Sequence, residues 1–163
     1  MEFIILIAII AGVFFAWRKL VSEPKKDVEL FEERRRTKAA EMILGAQKSW
    51  NETVNGAKSY PVGIVGESNY QGTIRHLRVG QLVKLLHEPS NPYDSRAIAV
   101  AASNGDTIGY IPRDFWLRDA LLDEAKPCSA RVLNLSKGPK ATGVTIEVAL
   151  AGEPIGERAF IRS

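Results

Sequence analysis

Arg96–Ile111 reads RAIAVAASNGDTIGYI, with two short apolar runs, Arg96 to Ala102 and Thr107 to Ile111, on either side of Asn104-Gly105. Asn-Gly suits a two-residue hairpin turn because both central residues must take positive φ. The stretch therefore predicts an antiparallel hairpin, and its neighbours repeat the pattern. Tyr60 to Gly66 and Gln81 to His87 are further apolar runs bounded by turn formers. Arg131 to Leu135 and Val144 to Leu150 form a last hairpin across Lys137-Gly-Pro-Lys140. In that final strand Val144, Ile146, Val148 and Leu150 alternate with Thr145, Glu147 and Ala149, the period of a strand buried on one face. Asp114 is placed to cap a helix from Phe115 to Ala125 that turns Leu117, Ala120 and Leu121 inward. Six strands and one helix in about ninety residues predict a mainly β domain, a small and partly closed barrel, because closure removes exposed strand edges.

The N-terminal third has a different texture. Phe3 to Trp17 (FIILIAIIAGVFFAW) is a run of fifteen residues without a charge. At ~1.5 Å per residue it spans roughly 22 Å, and Met1, Leu20 and Val21, with Arg18 and Lys19 snorkelling, bring it near a bilayer core. A cleaved signal peptide is the rival, but Met1-Glu2 is no basic leader and Phe14-Phe15-Ala16 is a poor cleavage site. Residues 1–21 are thus expected to be a transmembrane anchor. Arg18, Lys19, Lys25 and Lys26 follow it, which places the N-terminus outside and the C-terminal bulk in the cytoplasm. Residues 22–58 read as a charged helical stalk, with pairs such as Glu32 to Arg36 at i,i+4 spacing, ending in a turn-rich linker from Asn51 to Ser59. Its apolar positions do not sustain heptads, and Arg34-Arg35-Arg36 reads either as a solvated helix face or as a patch for lipid headgroups or phosphate. The barrel occupies residues 59–151, and residues 152–163 form a tail.

Composition excludes several classes. The chain has 163 residues, 45% of them hydrophobic and 25% charged, with one cysteine and two histidines. That rules out disorder, a disulfide scaffold and a Cys/His zinc site, and no cofactor or metal is expected. The net charge is +3, of which residues 61–163 hold only +1, so a long electrostatic track along nucleic acid is not available. No Walker-type glycine loop is present. His87 and Glu88 are adjacent, hence on opposite faces of a strand, and no nucleophile accompanies them, so the chain is not expected to be an enzyme.

Three segments exceed what a barrel needs. In Glu88–Asp94 (EPSNPYD), Pro89 and Pro92 stiffen a loop that carries Asn91, Tyr93 and Asp94. The loop is either a rigid turn, with an Asx-turn at Asn91, Tyr93 packed on the barrel end and Asp94 capping backbone N–H groups, or a binding loop. Gly66–Gly72 (GESNYQG) is a polar loop carrying Asn69 and Tyr70. Gly109–Arg113 (GYIPR) sets Tyr110 and Arg113 at a strand end ahead of a helix, although alternation also puts Tyr110 with Ile108 in the core.

Val62–Gly72, Gly80 and its following strand, Glu88–Asp94, Ala97–Val100 and Gly105–Arg113 together resemble, in order and spacing, the HIRAN domain. The likeness covers about residues 60–150, with Asn-Pro-Tyr-Asp and Gly-Tyr-Ile-Pro as its most specific motifs. It implies an OB-like barrel that binds the 3′ end of single-stranded DNA, and a place in DNA repair, since the family includes domains fused to helicases that remodel stalled replication forks. By position, the resemblance makes Tyr93 the aromatic that stacks on a terminal base and Asp94 the carboxylate that receives the 3′-hydroxyl. Asn91 stands beside that end, Tyr110 lies against the DNA and Arg113 is near the phosphates. Ser68 and Asn69 depart from the basic and aromatic residues of the DNA-binding members, and no aromatic lies in Leu135–Val144 to add a further stacking contact. Single-stranded nucleic acid, the bilayer and a protein at the stalk are the implied partners. A membrane-tethered module that uses the same barrel for a protein or peptide is the alternative.

Overall fold

The computed structural model describes residues 2–160, with the side chains of residues 27–160. The chain divides into two compact units, Met1–Met42 and Ile43–Ser163. Helix α1 (Glu2–Val54) supplies the first and the opening element of the second. The expected anchor, residues 1–21, lies outside the residues whose side chains are described. Among the described residues no helix is long and apolar enough to cross a membrane. From Asp27 onward the first unit is a mostly exposed, charged helix. Glu32 pairs with Arg35 at 3.6 Å, one residue earlier than the i,i+4 partner the sequence suggested.

In the second unit α1 continues through Asn51–Val54, where a linker was expected. The reason is Trp50. Its side chain is buried, with the Arg131 guanidinium 4.5 Å from the ring centroid, and Arg131 is itself fixed by Glu147 at 2.7 Å. An indole buried in this way ties the last turns of the helix to the sheet, so the chain turns only at Asn55-Gly56, where Gly56 has φ +83°.

The sheet follows the predicted runs with adjusted ends. Its strands are β1 (Ser59–Gly63), β2 (Leu82–His87), β3 (Ile98–Ala101), β4 (Thr107–Tyr110), β5 (Cys128–Lys137), β6 (Thr142–Glu153) and β7 (Gly156–Glu157). The order is β1-β6-β5-β2-β3-β4, with all neighbours antiparallel and β7 added in parallel to β2. The six expected strands are present, and the seventh comes from what the sequence left as tail. β5 holds β2 only at Leu82 and Val83, which leaves an edge at Leu86 and His87 for β7 to pair with.

The sheet curls without forming a complete barrel. Its outer strands meet only beyond β1, where Val65 and Tyr110 exchange two backbone hydrogen bonds of 2.9 Å each. Gly109 permits that approach: it has φ +153°, and a Cβ there would lie 2.6 Å from Ile64 Cδ1 and 2.9 Å from the Val65 carbonyl oxygen. Inside the curl, Val62, Ile98, Val100, Ile108, Val132 and Ile146 are fully or almost fully buried.

Two expectations about the short helices change. Gly66–Gly72 is largely helical, a 3₁₀ turn at Glu67–Tyr70 followed by α2 (Gln71–Ile74), because Gly66 at φ +77° starts the turn and the Gln71 amide bonds both backbone groups of Thr142. Helix α3 (Leu117–Leu122) is shorter than predicted. Trp116, not Asp114, occupies its N-cap, and no side chain caps it. Leu117, Ala120 and Leu121 do face inward.

Candidate functional site

The β2–β3 connection and the start of α3 build the site. Pro89 and Pro92 restrict the loop, and Asn91 determines its path: its Oδ1 accepts the Tyr93 N–H at 3.0 Å, the expected Asx-turn, while its Nδ2 donates to Glu88 Oε2 at 3.0 Å. Asn91 is buried, and with one hydrogen bond at each end of its amide it orients the loop. The Tyr93 ring, by contrast, is 72% exposed and does not pack on the barrel end.

Asp94 caps the Arg96 N–H at 2.9 Å and receives the buried Arg118 guanidinium at 2.9–3.0 Å, with Arg113 Nε 3.4 Å away. Burial alone would raise the Asp94 carboxyl, but the Arg96 N–H and the two guanidiniums outweigh it and hold the group below the usual carboxylate range. Arg118 also donates to the carbonyls of Arg96 and Arg113, so one side chain clamps the loop to α3. Arg113 is two-thirds exposed and donates to the Tyr93 carbonyl at 2.9 Å.

Beneath the loop lies a wholly buried carboxylate. Glu88 accepts from Asn91, from the Tyr110 hydroxyl at 3.2 Å and from Arg158 at 2.8 Å. Tyr110 is half-buried, with Tyr70 at 6.3 Å between ring centroids. Burial, then Tyr70 and Glu88, push its phenol far above the ordinary value, so the hydroxyl remains a donor.

All seven candidate residues, Asn69, Tyr70, Asn91, Tyr93, Asp94, Tyr110 and Arg113, line one cleft of about 480 Å³, together with Val65, Gly66, Ala97, Ile111 and Phe160. Asn91, Tyr93, Asp94 and Arg113 also border a neighbouring concavity that contains Arg96 and Arg118. The cleft thus joins exposed aromatic surface, an ionised acceptor and a cation. Sequence reasoning missed Phe160, Arg158, Glu88 and Arg118. Arg118 follows the inward Leu117 in the helical pattern and would be read as solvent-facing. No local pattern connects Phe160 or Arg158 with a loop some seventy positions earlier.

Residues 58–123 match the family model of the HIRAN domain. Two solved structures are similar. One is the crystal structure of the HIRAN domain of human HLTF, 23% identical, covering 58% of this chain and 76% of that one with a TM-score of 0.47. The other is a protein from Lactobacillus plantarum, 27% identical, covering 57% of this chain and 97% of that one with a TM-score of 0.45. No curated protein matches the sequence.

Proposed function

We propose that the cleft captures the 3′ end of a single strand of DNA, and that the chain acts by binding. The observation that carries this is Tyr93, a large aromatic 72% exposed on a backbone that Asn91 and Arg113 pin in place. Such a ring loses little freedom when a base stacks on it, and the stack contributes ~1–3 kcal/mol for any base. The match of residues 58–123 to the HIRAN family supports the same ligand class.

Asp94 gives the end its identity. An ionised carboxylate only accepts hydrogen bonds, so it favours a terminal hydroxyl and repels a terminal phosphate. Arg113 reaches the phosphate one step back. Tyr70, Asn69 and Tyr110 line the same cleft. The small net charge of residues 61–163 fits a grip on a few terminal nucleotides, held by stacking and end chemistry.

Binding without catalysis agrees with the state of the reactive groups. His87 Nε2 is bonded to the Ser95 carbonyl oxygen at 2.9 Å, and Glu88 is buried against Arg158. Burial pushes the Cys128 thiol up to about 11, far from a thiolate. The Phe3–Trp17 run followed by basic residues further suggests a module tethered to a membrane with its barrel in the cytoplasm. Protease added outside intact cells should then leave the barrel intact; external digestion would overturn that orientation.

Titration of the full chain with short single strands ending in a 3′-hydroxyl or a 3′-phosphate tests the central reading. The hydroxyl end should bind more tightly, and Asp94→Asn should erase the difference. Equal affinity for both ends, or no binding, would leave the protein or peptide partner as the remaining use of this domain.

A further inference from the structure

We propose that the segment Gly156–Phe160 is part of the binding site: Phe160 forms with Tyr93 a corner that takes one unpaired nucleobase, and Arg158 is the positioning residue that holds it there. The inference rests on the strand-end reading above and extends it to residues beyond the segment that matches the HIRAN family.

Phe160 borders the same cleft as the seven candidate residues. Its ring centroid is 6.2 Å from that of Tyr93 and the planes meet at 76°. Two rings stacked in parallel would cover each other's faces. A near-perpendicular pair leaves a face open for a base and turns the other ring's edge toward it, the arrangement aromatic groups prefer. One base fills such a corner.

The placement of Phe160 is built in four steps. Gly156 and Glu157 pair with Leu86 and His87, and the Arg158 N–H donates to the His87 carbonyl at 2.9 Å. The Arg158 guanidinium then reaches Glu88 Oε1, the Gly105 carbonyl at 3.0 Å and the Thr107 hydroxyl. Finally the Phe160 N–H donates to Ser90 Oγ at 3.0 Å, inside the loop that carries Tyr93. A buried ion pair adds little net stability over an apolar pair of similar shape, so what the Glu88–Arg158 contact contributes here is position. Glu88 also holds Asn91 and Tyr110, so one carboxylate joins the tail to the Tyr93 loop and to Tyr110.

The test uses the full chain and a short single strand with the fluorescent base 2-aminopurine at its 3′-terminal nucleotide, whose emission falls on stacking. Wild type should quench it on binding. Phe160→Leu keeps an apolar side chain without a ring and should lower affinity at least about fivefold, the lower end of an aromatic stack, and restore part of the emission at saturation. Phe160→Tyr should behave as wild type, and Arg158→Gln should shift the quench in the direction of Phe160→Leu. Thermal midpoints equal to wild type in Phe160→Leu show that the fold is kept. Wild-type affinity and quench in Phe160→Leu would remove the tail from the site and leave strand-end capture standing. Lost affinity with unchanged quench would overturn the corner. Failure of the wild-type chain to bind any strand would overturn both readings.

Discussion

Arg158 Nε and Nη2 both lie 2.8 Å from Oε1 of Glu88, a carboxylate with no solvent exposure. Removing one member of such a pair leaves a charge buried without compensation, which costs about 3–5 kcal/mol, whereas removing both costs far less. Arg158→Met should therefore lower the unfolding free energy by that order, and Glu88→Gln combined with Arg158→Met should recover much of it. Urea unfolding of the two single variants and the double variant measures the coupling. Additive losses would show that the two charges act independently.

Asp94 predicts an acid dependence. Its carboxyl titrates below the ordinary aspartate value in the folded protein, so its contribution to stability is present above about pH 4 and is lost as pH falls through the lower folded value. Asp94→Asn removes that contribution and should cost about 1.5–3 kcal/mol at neutral pH, since the buried Arg118 loses a charged acceptor. Glu147 is also lowered, by Ser59 and Arg131 acting against its burial, so the wild-type acid slope has more than one source. The difference between wild type and Asp94→Asn isolates the contribution of Asp94. It should shrink from pH 7 to pH 2, and a gap independent of pH would contradict the assignment.

Tyr93→Ala should separate binding from folding. The ring is mostly exposed and its only aromatic neighbour among the described residues is Phe160, so the change should alter stability by no more than about 0.5 kcal/mol. Affinity for a single strand should fall by about 1–3 kcal/mol, whatever the terminal base. Calorimetric titration and thermal melting on the same sample read both quantities.

The parts of this fold that could be read from sequence are those with a local cause. Asn104-Gly105 predicted the β3–β4 turn because its φ requirement is local, but only Gly105 takes positive φ, at +91°, and with the Gly105 N–H on the Ala102 carbonyl the turn runs over three residues, Ser103, Asn104 and Gly105, instead of two. The alternation of Val144, Ile146 and Val148 predicted β6 for the same kind of reason. The candidate loop was legible because its prolines, Asn91 and Asp94 act on their immediate neighbours. What escaped depends on distant partners. Gln71 makes a helical turn by bonding Thr142, Trp50 extends α1 by packing beneath Arg131, and Arg158 becomes part of the site through Glu88. Phe160 lies in a segment whose only β signal is a two-residue strand, too short for any period.

Trp50 carries the next prediction. It is 4% exposed, and its loss removes both a large buried side chain and the aromatic face under Arg131. Trp50→Ala should cost about 3–5 kcal/mol. By the same logic a fragment starting at residue 43 should melt well above one starting at residue 58, although the latter keeps every strand. Equal midpoints would mean that the end of α1 is not needed by the domain.

Gly109 links backbone geometry to the cleft. Its φ of +153° is rarely adopted by L side chains, and the space for a Cβ is occupied by Ile64 and by the Val65 carbonyl. That carbonyl accepts the Tyr110 N–H in the bridge that joins the outer strands, and Val65 and Tyr110 both border the cleft. Gly109→Ala cannot be relieved by a side-chain rotation, because the 2.9 Å contact is with backbone. The β4 segment must move away from Val65, breaking both bridge hydrogen bonds and widening the gap that Tyr110 helps to close. Strain of this kind costs on the order of 1–3 kcal/mol, and the broken bonds add to it. Two observations should therefore change together in Gly109→Ala: the amide protons of Val65 and Tyr110 should lose protection against hydrogen exchange, and strand affinity should fall although no contact residue has been replaced. Retained protection at those two amides would show that the sheet edge tolerates a Cβ and that the bridge does not shape the cleft.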